Sequence, residues 1–362
     1  MTTRIDHLTV HTVPVPLRRP FVTAVRRADA IDAVLVEIVD SDGRSGWGEA
    51  AASWRVTGES PASIRAVVTG PLADLLVGRE ASEVPALSDE IARSVIHNSA
   101  ARSAVDCALY DLAAQHAGVT MARYLGGGEA LLRTDMTISA GATDELVQGA
   151  VEHCRNGFGT LKVKVGAGHD DANAVLAVRE AIGAGVVLRV DANQGWDAEQ
   201  AVRIIRFWED QEVNLEFVEQ PVAARSLEDL AMVTKHVATP VLADESVWTM
   251  HDLDEILTRR CADLINVKLA KTGGISEALR MIVRATESGV GVVIGCMMES
   301  HVGIAAAAAI AGTLGTADGA RAQDLDAGLW LRASPVAGGA HYLGDVVVPA
   351  REAGLGIRGI AR

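Results

Sequence analysis

From about Arg133 onward, short apolar runs recur at intervals of roughly 22 to 30 residues: "TDMTISA", "TLKVKVG", "VVLRVDAN", "LEFVEQP", "PVLADES", "ADLINVKLA" and "GVVIGCM". Helical stretches separate them. Each repeat is long enough for one strand and one crossover helix, the unit that builds parallel sheets. With "QDLDAGL" as an eighth run, the pattern predicts a (β/α)8 barrel. A doubly wound open sheet competes with it, but that fold carries a glycine-rich turn after an early strand, and no G-x-G-x-x-G occurs.

The first part of the chain follows another rhythm. "IDHLTVHTVPV" and "IDAVLVEIVD" alternate as strands do, and "SDGRSGWGEA" supplies turn chemistry and a further short strand. Helical patterning follows at 61–76 and 100–116. Strands followed by helices predict an α+β unit. The tail, with "HYLGDVVVPAREAGLGI", returns to strand and turn material and is expected to fold back onto that unit. The fold class is therefore α/β: a modified, TIM-like (β/α)8 barrel over 126–335 with an α+β capping domain formed by 1–125 and the tail 336–362.

With 362 residues, 49% of them hydrophobic, the chain can bury a large core. The net charge of −14 and the lack of a long basic run argue against a nucleic-acid partner. Four scattered cysteines show no disulfide-framework or zinc spacing, which fits a reducing, cytoplasmic setting. "VGIAAAAAIAGTLG" is too short to span a bilayer, so no membrane partner is expected.

In such barrels chemistry gathers where the strands end. The second run ends with Lys162 and Lys164, the third with Asp191 and Asn193, the fourth with Glu219, the fifth with Asp244, the sixth with Lys268 and the eighth with Asp324 and Asp326. A single strand-end acid commonly caps the next helix. Three acids on consecutive strands converge, and without a cation they would repel one another. Single oxygens from Asp191, Glu219 and Asp244 suit Mg²⁺, with Asn193 placed to support them. No His or Cys joins them, which argues against zinc.

Lys164 and Lys268 lie on opposite sides of an eight-strand barrel. A carboxylate substrate on the metal would sit between them, so one lysine removes the proton beside that carboxylate and the other returns one on the opposite face. Lys162 is expected to neutralise the carboxylate. Burial, the cation and Lys162 are expected to lower the base's pKa. Lys271 reads as a helix-entry or surface residue and His301 as structural or rim.

Together "LKVKVG", "RVDANQGW", "EFVEQPV", "LADES", "INVKLAKTGG" and "GCMMES" resemble the enolase superfamily, in its muconate lactonizing enzyme subgroup. The resemblance covers nearly the whole chain. It implies a Mg²⁺-dependent isomerase with Lys164, Lys268 and Lys162 as catalytic residues. The paired acids of "QDLDAGL" resemble the Asp-x-Asp motif with which dipeptide epimerases grip a substrate ammonium. "PFVTAVRRADAIDAV" resembles the loop that closes over dipeptides, which implies that Arg26 pairs with a glutamate side chain, with Arg27 adjacent. Thr137 and Cys296 match pocket-lining positions. The resemblance thus implies 1,1-proton transfer on a small-molecule dipeptide of the L-Ala-D/L-Glu class, a homo-oligomer, and a part in muropeptide recycling. The alternatives are o-succinylbenzoate synthase, N-acylamino acid racemase, or a non-catalytic barrel that binds a metal–carboxylate ligand.

Overall fold

The computed structural model describes residues 3–22, 27–128, 131–168 and 170–361. The alternating start of the chain pairs as an antiparallel sheet of β1 (Ile5–Val22), β2 (Arg27–Asp40) and β3 (Ser45–Ala51). Helices α1 (Pro61–Val67), α2 (Ala73–Leu76), α3 (Val84–Ser94) and α4 (Ser99–Ala117) pack on it. The helix expected over 61–76 is interrupted by a π turn at Val68–Leu72, where Gly70 leaves helical geometry and Pro71 has no N–H to offer. The glycines of "SGWGEA" serve close packing more than turning. A Cβ on Gly48 would lie 1.9 Å from the Ala104 carbonyl oxygen, and one on Gly46 would lie 2.2 Å from that of Ala108. Only bare backbone lets β3 meet α4, whose contact face is alanine.

After α5 (Met121–Tyr124) and β4 (Leu132–Arg133), seven strands form one parallel sheet in sequence order. They are β5 (Met136–Ile138), β6 (Thr160–Lys164), β7 (Val187–Asp191), β8 (Leu215–Glu219), β9 (Val241–Ala243), β10 (Leu264–Lys268) and β11 (Gly291–Gly295). Between them run α6 (Thr143–Arg155), α7 (Asp171–Ile182), α8 (Ala198–Asp210), α9 (Leu227–His236), α10 (Met250–Arg259), the single turn α11 (Leu269–Thr272) and α12 (Ile275–Glu287). Each helix buries one stripe against the sheet. On α8 the stripe is Ala201, Ile205 and Trp208. The expected eighth strand forms no ladder of its own. Single parallel bridges, Gly295 with Asp324 and Thr134 with Gln323, close the barrel in its place.

Beyond β11, α13 (His301–Ala311) is the alanine-rich helix, buried as expected. No helix among the described residues is long and apolar enough to cross a membrane. The short α14 (Thr316–Gly319) and α15 (Ala327–Trp330) lead to the tail. There β12 (Val336–Gly338) pairs with β15 (Ile357–Ile360), while the hairpin of β13 (His341–Leu343) and β14 (Val346–Val348) joins β4. The tail therefore meets both parts of the molecule: the hairpin extends β4, and Leu355 N–H donates to Asp111 of α4 at 2.6 Å.

Buried acids of the N-terminal unit dock it onto helix starts. Glu49 of β3 accepts from Ser300 N–H at 2.8 Å and Gly303 N–H at 2.9 Å, at the start of α13. Asp106 of α4 accepts from Ile275 N–H at 2.6 Å, at the start of α12. Carboxylates suit helix N-termini because unpaired N–H groups and the helix dipole meet there. These contacts place the N-terminal unit beside the ends of β10 and β11.

Gly48→Ala is expected to destabilise the protein by about 1–3 kcal/mol, because the new methyl has backbone and no flexible side chain in its way. Urea denaturation of the two proteins measures the difference; an unchanged midpoint would show that α4 is free to move away.

Candidate active site

The parallel register sets the polar residues side by side. Thr137 is aligned with Lys162, Lys164 with Asp191, Asp191 with Glu219, and Lys268 with Gly295. Because alternate residues share a face, Lys162 and Lys164 both project into the barrel end, and both are buried. β6 and β10 are four places apart in the sheet, so Lys164 and Lys268 face one another across the barrel. Gly295 makes room for this: a Cβ there would lie 2.8 Å from Lys268 Cε and 2.2 Å from Asn266 Oδ1. Asp191, Glu219 and Asp244 are not helix caps. Asp170, Asp197 and Thr249 cap α7, α8 and α10.

Four of the buried acids pair with lysines. Lys164 pairs with Asp191, and Lys268 Nζ lies 2.7 Å from Asp244 Oδ2. Lys162 Nζ lies 2.6 Å from Asp324 and 3.6 Å from Glu219. Asn266 donates to Glu219 at 2.8 Å. Asn193 and Gln194 take left-handed backbone, which folds Asn193 N–H back onto Asp191 Oδ1 at 2.8 Å. The Asn193 amide also reaches Glu245 at 3.3 Å. Gln220 Oε1 accepts from the backbone N–H groups of Asp244 and Ser246 at 3.0 and 3.1 Å, fixing the loop after β9.

Six carboxylates of this cluster (Asp191, Glu219, Asp244, Glu245, Asp324 and Asp326) face four ammonium groups (Lys162, Lys164, Lys268 and Lys271), which leaves two negative charges uncompensated if all are ionised. The titrations reflect this excess. Burial, with Asp191 nearby, pushes Glu219 up to about 8. Burial and Asp244 push Glu245 up to about 7. Burial, Asp135 and Asp324 push Asp326 up to about 7. Burial opposes ionisation of Asp324 too, but Lys162, Lys268 and Lys164 hold it down at about 2. Buried oxygens without partners, Asn193 Oδ1 and Glu245 Oε2, lie beside Asp191 and Asp244. An all-oxygen set with two spare negative charges and unpartnered oxygens fits a hard divalent cation.

The base pKa was expected to fall with the cation in place; among the protein's own groups, burial lowers Lys162 and Lys268 and the surrounding carboxylates more than offset it, so both are raised. Lys271 is neither at the surface nor a mere helix entry. It is buried, with its ammonium 2.6 Å from both Asp244 Oδ1 and the Asp244 carbonyl. Lys162, expected to neutralise a substrate carboxylate, is paired with Asp324 among the protein's own groups. Asn266 was overlooked although it shares a face with Lys268, two residues on, and the same alternation would have found it.

Asp324, Asp326 and Cys296 come together. One ligand atom from each lies within 4.8 Å of the others, and all three are buried. Among the described residues no other trio of His, Cys, Asp and Glu groups draws so close, and Asp191, Glu219 and Asp244 are held farther apart on their lysines. Asp326 Oδ2 accepts from Thr137 N–H at 2.6 Å, while its Oδ1 and the Thr137 hydroxyl have no partner. His301 is half-buried, edge-on to Tyr342 at 5.9 Å.

The lysines and acids open onto a small cavity of about 80 Å³, walled by Phe21, Val56, Met297, Met298 and Trp330. Phe21 and Trp330 stack at 4.2 Å and separate it from a second cavity of about 660 Å³ that reaches Arg18, Arg19 and Arg27. Arg26 lies outside the described residues. Its neighbour Arg27 stands at the rim, 3.5 Å from Asp29.

Comparison with known proteins gives matching results along the chain. Residues 5–126 match the mandelate racemase / muconate lactonizing enzyme N-terminal domain, and residues 145–359 match the enolase C-terminal domain-like family. The chain is 38% identical to the L-Ala-D/L-Glu epimerase of Clostridium acetobutylicum, over 98% of this chain and 99% of that protein. It superposes with a TM-score of 0.95 on a substrate-liganded complex of the L-Ala-D/L-Glu epimerase from Bacillus subtilis, at 38% identity, covering 99% of this chain and 100% of the other. It superposes at 0.92, with 34% identity over 98% of this chain and 99% of the other, on an Enterococcus faecalis dipeptide epimerase complexed with Mg and L-Leu-L-Tyr.

Lys162→Met is expected to cost about 3–5 kcal/mol, because it leaves Asp324 buried without its cation. Adding Asp324→Leu is expected to restore much of that loss. Guanidinium titrations of the single and double variants test the pairing, and strictly additive losses would contradict it.

Proposed function

The chain belongs to the mandelate racemase / muconate lactonizing enzyme family, and on that premise we propose that it is a Mg²⁺-dependent dipeptide epimerase, an isomerase acting on amino acid derivatives. The observation that carries the chemistry is the pair of buried amines, Lys164 and Lys268, facing each other across a cluster of carboxylates. Asp191, Glu219 and Asp244 would hold Mg²⁺, with Asn193 orienting Asp191. When bound, the ion would supply positive charge against the substrate's α-carboxylate.

The reaction is a proton exchange at the α-carbon of the C-terminal residue. One amine, uncharged, takes the proton from one face. The other, as an ammonium, gives a proton to the opposite face, and the centre is inverted. Running the reaction the other way exchanges the two roles, so both epimers are substrates. Lys162 supports the α-carboxylate. The peptide's free ammonium belongs beside Asp324 and Asp326, where Asp326 Oδ1 has no partner; two carboxylates attract a cation and repel the dianions that o-succinylbenzoate synthases handle. Thr137 and Cys296 line this corner.

For the side chains we propose L-Ala-D/L-Glu, with Arg26 as the partner of the glutamate carboxylate. The apolar wall of Phe21, Val56, Met297 and Met298 favours a second reading, hydrophobic dipeptides. A small soluble dipeptide is the partner in either case, and a cytoplasmic homo-oligomer is the setting we propose.

The test is α-deuterium uptake from D₂O over a dipeptide library with Mg²⁺. Uptake at the C-terminal residue, fastest for Ala-Glu, is expected; faster turnover of apolar dipeptides selects the second reading, and no uptake from any dipeptide removes the epimerase. Lys164→Ala and Lys268→Ala are each expected to lower epimerisation by about 10²–10⁴-fold while retaining exchange from at most one epimer. Asp326→Asn is expected to raise KM for dipeptides, whereas an enzyme for substrates without an ammonium would be indifferent to it.

A further inference from the structure

We infer that Lys271 sets the ion selectivity of the site by confining Asp244 to coordination through one oxygen, an inference that rests on the reading of Asp244 as a metal ligand. Lys271 lies on α11, three residues beyond Lys268, and is buried. Its ammonium meets Asp244 Oδ1 and the Asp244 carbonyl at 2.6 Å each and the Asn266 carbonyl at 2.8 Å. An ammonium has three N–H donors, and all three are engaged. Lys271 therefore has no donor left for a substrate, and leaving this position would unpair a buried charge.

The same ammonium grips the main chain and the side chain of Asp244. The Asp244 N–H is held from the other side by Gln220 Oε1 at 3.0 Å. Rotation of the carboxylate would break the Oδ1 contact while the carbonyl contact keeps Lys271 in place. Oδ2 is the oxygen that faces the pocket, where Lys268 approaches it at 2.7 Å.

An ion that takes the place of Lys268 at Oδ2 thus finds one oxygen of Asp244, with Oδ1 still held by Lys271. Mg²⁺ accepts this, since it takes single oxygens in a tight octahedron at about 2.0–2.1 Å. Ca²⁺ takes six to eight oxygens at about 2.3–2.6 Å and readily uses both oxygens of a carboxylate. Chelation by both oxygens of Asp244 would require Lys271 to give up Oδ1. Its positive charge also opposes cation binding in general, so Lys271 trades affinity for discrimination.

The experiment titrates metal-free protein with Mg²⁺ and Ca²⁺ by calorimetry, without substrate. Lys271→Met is expected to raise the Ca²⁺-to-Mg²⁺ affinity ratio by about tenfold or more, in the range found when groups supporting metal ligands are removed. Lys271→Gln, whose amide can still donate to Asp244 Oδ1, is expected to hold the ratio within about threefold of the parent. An unchanged ratio in Lys271→Met would overturn the inference. Should the variants fold poorly, a crystal structure of the parent protein with Mg²⁺ decides: Asp244 bound through Oδ2 alone with Lys271 still on Oδ1 supports the inference, and Asp244 bound through both oxygens overturns it. Asp244→Asn separates the two levels. If it leaves Mg²⁺ affinity unchanged, the ligand assignment fails; if it weakens Mg²⁺ while the Lys271→Met ratio stays flat, only the role of Lys271 fails.

Discussion

Four lysine ammonium groups and six carboxylates share a volume at the end of the barrel that little water enters. Such a cluster is costly unless every charge has a partner, since desolvation penalises each ion and proximity penalises each like pair. The structure meets that condition in part, through contacts alternating in sign: Lys164 with Asp191, Lys268 and Lys271 with Asp244, Lys162 with Asp324. The surplus is negative. It places the cluster one divalent cation short of balance, and burial together with neighbouring carboxylates raises Glu219, Glu245 and Asp326 toward neutrality.

The scaffold serves this cluster. Parallel register puts one or two charges at the ends of β6 to β10 and lines them up, so opposite signs become neighbours. Small residues make space for long ones, as Gly295 does for Lys268. The N-terminal unit is tied down by Glu49 and Asp106 at the starts of α13 and α12, close to the site. From that anchored sheet Phe21 reaches across to stack on Trp330 and close the pocket. A proton exchange at carbon benefits from such closure, because water excluded from the site cannot solvate the amines.

Much of this was legible along the chain. The recurrence of apolar runs announces the parallel strands, and alternation within "LKVKVG" assigns Lys162 and Lys164 to one face. Asn266 was within reach of the same rule. Lys271 was not, because it follows the strand on a single helical turn, where neither strand nor helix periodicity says which way a side chain points. The eighth run was read as a strand, but only single bridges hold it, and the chain turns into α15 directly after Asp326. The raised titration of Lys162 and Lys268 was not legible for a similar reason. Burial was foreseeable, whereas the number of acids packed around each amine depends on residues from four or five different strands.

The amino-acid order by itself determined the strands, their parallel succession and which charged residues end them, because these follow from local periodicity and from a side-chain repeat of two. Tertiary structure alone decided which charge meets which. Distances between Lys162 and Asp324, or between Lys271 and Asp244, depend on barrel closure and on where α11 turns, and electrostatic energy varies steeply with those distances.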